Sequence, residues 1–194
     1  MKKFSIKVLV SLGMFSAIAY VLMLLKFPIL PAFSFLKLDF SEIPALIAVL
    51  VYGPGAGIIV EFLKNVLDYF MTGSETGVPV GHISNFIAGF LYILPVYYIY
   101  QKLQSRKGMI TALLAGTVFM SLVMSLLNYF IFIPAYTWFL GMPEMSASTL
   151  REMIVLGVLP FNLIKGVLTS ALFMILFAKL RSWLAKLAPA KIAA

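Results

Sequence analysis

The sequence contains no cysteine, a single histidine and few charged residues. Without cysteine, the chain can form neither disulfide bonds nor thiolate metal sites. His82 would need carboxylates around it to bind a metal ion, and no such ligand spacing occurs, so we predict no metal site. Charged residues make up 11% of the 194 residues, whereas a soluble domain contains about 25%. The low charge therefore argues against a soluble fold.

Apolar residues are abundant instead. They make up 62% of the sequence, and the mean hydropathy is +1.05. The connections between apolar runs are too short for a separate soluble domain, so we predict one membrane domain, residues 1–194. The expected fold is all-α and integral to the membrane, with six transmembrane helices of which the second is short. The predicted helices cover residues 6–25, 43–52, 56–71, 81–100, 109–133 and 153–177.

The first apolar run resembles a signal peptide. Three lysines precede it, and residues 17–19 look like a cleavage site. The run is about 18 residues long, which is enough to span a membrane, and we interpret it as a retained first helix. Gly13 and Ala17 form a small-residue face on this helix. That face indicates either docking against a helix of a partner or ordinary internal packing.

The net charge of +8 is explained by topology. Cytoplasmic loops of membrane proteins are enriched in lysine and arginine. With a cytoplasmic N-terminus, ten of these residues fall on the cytoplasmic side and three on the other. This bias predicts that both termini are cytoplasmic, and it removes the case for a nucleic-acid partner. The ten are Lys2, Lys3, Lys7, Lys102, Arg106, Lys107, Lys179, Arg181, Lys186 and Lys191, and the three are Lys26, Lys37 and Arg151.

Lys165 lies within the last predicted helix, where a lysine costs roughly 2.5–3.5 kcal/mol. Asn162 is three residues earlier and shares its helix face, and Asn128 is a further polar residue near the outer end of the fifth helix. These donors and acceptors suit a flat, uncharged ligand with several carbonyl and ring-nitrogen acceptors. In the alternative, the asparagines bond each other or backbone carbonyls, and Lys165 pairs with Glu61 or Asp68.

Residues 27–41 are apolar but contain two prolines, so they do not form a plain helix. Irregular backbone at membrane depth must be buried in protein or line a cavity. We therefore expect this segment to fold back as a lid on the outer side, above the buried polar residues.

In the third helix, Glu61, Lys64 and Asp68 share one face, which favours an internal ladder of ion pairs.

No catalytic constellation is present, and we predict that the protein is not an enzyme. Ser84 lies two residues from His82, and the two cannot face each other on one helix. The glycine-rich run at residues 53–57 lacks the lysine of a phosphate-binding loop. Active transport would therefore need a partner that hydrolyses ATP.

Several longer motifs occur along the chain. They are residues 35–45 (FLKLDFSEIPA), 52–54 (YGP) with 61–65 (EFLKN), 77–81 (GVPVG), 127–129 (LNY) with 133–139 (IPAYTWF), and 159–166 (LPFNLIKG). Together they resemble the riboflavin-binding S components of energy-coupling factor (ECF) transporters. The resemblance covers nearly the whole chain, although His82 stands where a glutamine is expected.

The resemblance implies a six-helix substrate-capture subunit of a bacterial plasma membrane. Such a subunit docks on a transmembrane T component that carries two ATPase subunits, and it takes up riboflavin from outside without a cofactor of its own. The residues implied to bind the ring are Asn128, Asn162 and Lys165, with Asp39 near the ribityl chain and Asn85 and Tyr136 as further ligand residues. Gly13 and Ala17 are implied to contact the T component.

Two other functions remain open at this point. One is an S component for another vitamin such as thiamine, although a cationic ligand should require a carboxylate where this site presents an ammonium. The other is a membrane scaffold without transport activity, in which the buried polar groups only hold the helices together.

Overall fold

The computed structural model describes residues 5–187, with side chains as far as residue 179. Six helical segments follow one another in this part of the chain, and the only strands are two residues long. The elements are α1 (Ile6–Leu24), β1 (Phe27–Pro28), a 3-10 turn (Pro31–Phe33), β2 (Lys37–Leu38), α2 (Glu42–Tyr52), α3 (Pro54–Thr72), α4 (Val80–Leu103), α5 (Arg106–Leu127), a π turn (Asn128–Phe132), α6 (Ile133–Phe139), α7 (Ala147–Met153), a second π turn (Ile154–Val158) and α8 (Leu159–Leu187).

Four of the six segments are long and apolar enough to cross a membrane. The short helix α2 has 11 residues, nine of which are buried, so it lies inside the bundle. Helix α3 is long enough at 19 residues, but it carries three charged side chains on its buried face. The four spans are Ile6–Leu24, Val80–Leu103, Arg106–Phe139 and Ala147–Lys179.

Residues 25–41, which we call loop 1, fold back over the bundle as predicted. An antiparallel pairing of Phe27 with Leu38 closes the loop at its base. Phe33, at its tip, packs so closely on the second π turn that a Cβ on Gly157 would lie 2.9 Å from its ring. Gly157 therefore makes room for the loop 1 aromatic side chain.

The predicted connection at residues 134–151 is wrong, because the helices on both sides of it are longer. α5 continues through a π turn into α6, and α8 is preceded by α7 and the second π turn, so the connection covers only residues 140–146. Ser146 caps α7 by accepting a hydrogen bond from the backbone N–H of Thr149 at 3.2 Å. The sequence had predicted a helix end at residue 133 and a helix start at residue 153, and each of these positions lies next to a π turn.

Both π turns lie just before a proline, although a proline does not always require such a turn, because Pro95 lies inside α4 without one. A proline inside an α-helix clashes with the carbonyl four residues before it, and Pro134 and Pro160 each follow a π turn by two residues. In these turns the hydrogen bond runs five residues back, from Ile133 to Asn128 and from Leu159 to Ile154. The wider turn moves the clashing carbonyl away from the ring, so the helix continues.

The longer helices change the depth of the predicted site residues. Lys165 lies 18 residues after Ala147, the first residue of α7, which corresponds to about 27 Å along the segment at a rise of 1.5 Å per residue. The sequence had indicated roughly 18 Å. Asn128 lies 11 residues before the end of a segment that runs from Arg106 to Phe139.

Candidate functional site

A cavity of about 600 Å³ opens where loop 1 meets the ends of α1 and α3, the start of α4, and α6. This volume falls in the range of roughly 300–1,000 Å³ that small-molecule sites occupy. Three of the predicted ligand residues line it: Asp39, Asn85 and Tyr136. Tyr136 lies close to the first turn of α4: its hydroxyl occupies the space that a Cβ on Gly81 would fill. The absence of a side chain at Gly81 makes this approach possible.

Asp68 builds the polar wall of the cavity. Its carboxylate accepts hydrogen bonds from Lys26 at 3.1 Å and from Thr72 at 2.7 Å, and it lies 3.0 Å from His82 Nε2. The predicted ladder on α3 is therefore only half right. Glu61 and Lys64 do pair, at 2.9 Å, whereas Asp68 contacts Lys26 of loop 1 and His82 of α4.

Asn128 and Asn162 are both buried, and each bonds its own helix. The Asn128 side-chain amide donates to the carbonyl of Met124 at 2.8 Å, and that of Asn162 donates to the carbonyl of Val158 at 2.9 Å. They therefore do not bond each other, and neither links two helices. Their amide oxygens accept no hydrogen bond from the described residues. Asn128 opens one π turn and Asn162 follows the other, and such turns are frequent at functional sites.

Lys165 is buried and paired, but not with Glu61 or Asp68, the partners that the alternative reading of the sequence named. Its ammonium lies 2.8 Å from Glu42 Oε1 and 3.3 Å from Asp39 Oδ2. The contact with Asp39 is a hydrogen bond, so one of the three ammonium donors is used there. Lys165 does not line the cavity. Asp39 contacts Lys165 and also forms part of the cavity wall.

Lys64 completes a cluster of five buried charges. Its ammonium lies 2.9 Å from Glu61 Oε2, 3.8 Å from Glu42 Oε1 and 2.6 Å from the hydroxyl of Ser41. The cluster comprises Asp39, Glu42, Glu61, Lys64 and Lys165, each at most 5% exposed. We call this set the ion-pair cluster. It joins loop 1, α2, α3 and α8.

Asp39 is ionised in this setting. Burial by itself would raise the pKa of its carboxyl, but Lys165, Lys64 and the hydrogen bond from Ser41 together hold that pKa below its ordinary value. The backbone N–H of Ser41 donates to Asp39 Oδ1 at 2.9 Å. The charge that holds loop 1 to α8 is therefore present at neutral pH.

Reasoning from sequence did not assign Glu42 to the site. Glu42 stands beside Asp39 at the end of a loop, where an acidic residue is ordinary. A count of charges in the apolar segments offers the missing signal, because buried lysines require carboxylate partners.

Gly13 and Ala17 lie on the exposed face of α1. Nothing lies within 4 Å of the position that a Cβ on Gly13 would take. The buried face of the helix carries Leu12, Ser16, Ala19 and Met23 instead. Internal packing therefore does not explain the small-residue face.

The ion-pair cluster predicts a large stability effect for Lys64→Gln. The variant leaves three carboxylates with one ammonium, and breaking a buried pair costs about 3–5 kcal/mol. We expect a clear fall in the midpoint of thermal unfolding in detergent, with much of the loss recovered in Lys64→Gln/Glu61→Gln, which restores the original net charge of the cluster. An unchanged midpoint in the single variant would contradict the pairing.

Comparison with known proteins gives a consistent family. The model of the ECF transporter substrate-specific component matches residues 7–177. The chain is 52% identical to the riboflavin transporter FmnP of Bacillus subtilis (strain 168), over 92% of this chain and 94% of that protein. It is 41% identical to the riboflavin transporter RibU of Staphylococcus aureus (strain TCH60), over 93% and 94%. It also resembles a solved S component of a bacterial ECF transporter, with a TM-score of 0.76, 40% identity and coverage of 92% and 97%.

Proposed function

This chain belongs to the substrate-specific components of ECF transporters, and from that premise we propose that it captures riboflavin and delivers it for ATP-driven uptake. The family agrees with the resemblance drawn from the sequence motifs, and its relatives are named as transporters and not as enzymes. The observation that carries the proposal is the 52% identity to a riboflavin transporter over 92% of the chain. The cavity beneath loop 1 supplies a space of suitable size.

The proposed ligand position spans the ion-pair cluster and the cavity. Asn128, Asn162 and Lys165 would hydrogen-bond the polar edge of the isoalloxazine ring, since the amide oxygens and the remaining ammonium donors match its imide and ring-nitrogen groups. The ribityl chain would lie in the cavity, beside Asp39, Asn85 and Tyr136. Asp39 supports this arrangement because it contacts both regions.

The proposed topology has six membrane segments with both termini in the cytoplasm of a bacterial cell. The distribution of lysine and arginine supports this orientation, and it places loop 1 and the cavity on the outer side. Riboflavin would enter from outside and be covered by loop 1. Membership of the ECF family supports a T component with two ATPase subunits as the source of energy. The T component would dock on Gly13 and Ala17.

Riboflavin binding is the first test. The purified protein should be yellow from copurified ligand, and after removal of that ligand it should quench the fluorescence of added riboflavin with saturable binding. Thiamine should not compete. A colourless preparation that leaves riboflavin fluorescence unchanged would overturn the proposed function.

Lys165→Gln tests the ring contact. The change should weaken riboflavin binding by about 1–2 kcal/mol, because a charged hydrogen bond is replaced by at most a neutral one. Affinity is measured by fluorescence titration on the monodisperse fraction. Lys64→Gln is the matched control, since it removes the same charge from the cluster without a proposed ligand contact. Equal losses in the two variants would mean that Lys165 acts only through the stability of the cluster.

Gly13→Leu tests the docking face. The structure has room for the larger side chain, so the fold and riboflavin binding should be unchanged, while ATP-driven uptake by cells should be lost. Ala171→Leu, on the exposed face of α8, is the control and should leave uptake intact. Normal uptake by Gly13→Leu would exclude this face as the T-component contact.

A further inference from the structure

We infer that Glu42 is a positioning residue that fixes the Lys165 ammonium for the ligand. This inference rests on the proposed riboflavin site, in which Lys165 contacts the ring. Glu42 itself would not touch riboflavin, so its effect on binding would pass through Lys165.

Glu42 is the closest charged partner of Lys165. Its Oε1 atom lies 2.8 Å from the ammonium, compared with 3.3 Å for Asp39 Oδ2. The two carboxylates differ in their supports, because Asp39 belongs to loop 1 whereas Glu42 is the first residue of α2. A carboxylate in the first turn of a helix is also favoured by the helix dipole. The Lys165–Glu42 contact is thus a close ion pair to a helix residue, in which the Glu42 oxygens take part in no hydrogen bond among the described residues, whereas Asp39 joins Lys165 to loop 1 by a hydrogen bond.

The surroundings of Glu42 leave it little freedom. Residues 41–46 are all buried, so the start of α2 is packed on every side. A lysine side chain has four flexible carbons and loses conformational entropy when a ligand fixes it. A buried carboxylate that already lies 2.8 Å from the ammonium reduces that loss at the moment of binding.

Glu42 also takes part in a closed ring of contacts. Lys165 pairs with Glu42, which faces Lys64 at 3.8 Å. Lys64 donates to the Ser41 hydroxyl at 2.6 Å, and the Ser41 N–H donates to Asp39 at 2.9 Å. Asp39 then returns to Lys165. Within this ring, Glu42 is the carboxylate that lies between the two lysines.

Glu61 offers a matched comparison. It is also a fully buried glutamate of the cluster, but its charged contact is with Lys64 and not with Lys165. If Glu42 acts by positioning Lys165, only Glu42→Gln should change ligand affinity strongly. Glu61→Gln should change riboflavin affinity less than about twofold, although both changes remove one negative charge from the same cluster.

A double-mutant cycle with Lys165 tests the inference. Riboflavin affinity is measured by fluorescence titration for the wild type, Glu42→Gln, Lys165→Gln and the double variant. We expect Glu42→Gln to weaken binding by about tenfold in the wild-type background, and to add less than twofold in the Lys165→Gln background. If Glu42→Gln does not fold, Glu42→Asp enters the same cycle, and its shorter carboxylate should give a smaller loss that also disappears without Lys165.

Each outcome decides a different point. Unchanged affinity in Glu42→Gln, or an equal loss in both backgrounds, would overturn the positioning role while leaving the proposed function in place. A tenfold loss in Glu61→Gln as well would mean that the cluster acts only by its net charge, which also overturns the role. Failure of the wild-type protein to bind riboflavin would instead contradict the proposed function itself.

Discussion

The structure depends on the requirement that charges buried in an apolar bundle satisfy one another. The ion-pair cluster places two lysines and three carboxylates almost fully inside this protein, and an uncompensated charge in such surroundings is strongly destabilising. Each buried charge therefore requires a partner of opposite charge nearby, and this requirement fixes the position of the helix or loop that carries the partner. Because the members come from loop 1, α2, α3 and α8, the cluster fixes how a loop, a short buried helix and two longer helices meet.

The same constraint explains how the sequence pointed to the site. Lys165 stood out because a lysine in an apolar run is costly, and the family motifs then associated it with Asn128 and Asn162. The motifs placed Asp39 in the same site but did not pair it with Lys165, because the two residues are 126 positions apart along the chain. Helix periodicity identified Glu61 with Lys64, three residues apart. It failed for Asp68, whose charged partners come from loop 1 and α4.

The helix boundaries show a second limit of sequence reasoning. Proline ordinarily ends a helix, so residues around Pro134 were expected to form a connection. The structure retains the helix by inserting a π turn before each of Pro134 and Pro160, and no residue type announces such a turn. The all-helical fold and the lid formed by loop 1 were accessible, because each depends on local composition. The small-residue pattern on α1 was visible too, but by itself it left docking and internal packing open. The lengths of the last two segments were not.

The central claim is that the flavin ring lies against the ion-pair cluster, with its ribityl chain in the cavity under loop 1. A structure of the protein with bound riboflavin tests this most directly. The account predicts that the polar edge of the ring lies within hydrogen-bonding distance of Lys165, Asn128 and Asn162, and that the Lys165–Glu42 contact persists. A ring bound elsewhere, with no contact to any of these three residues, would contradict it.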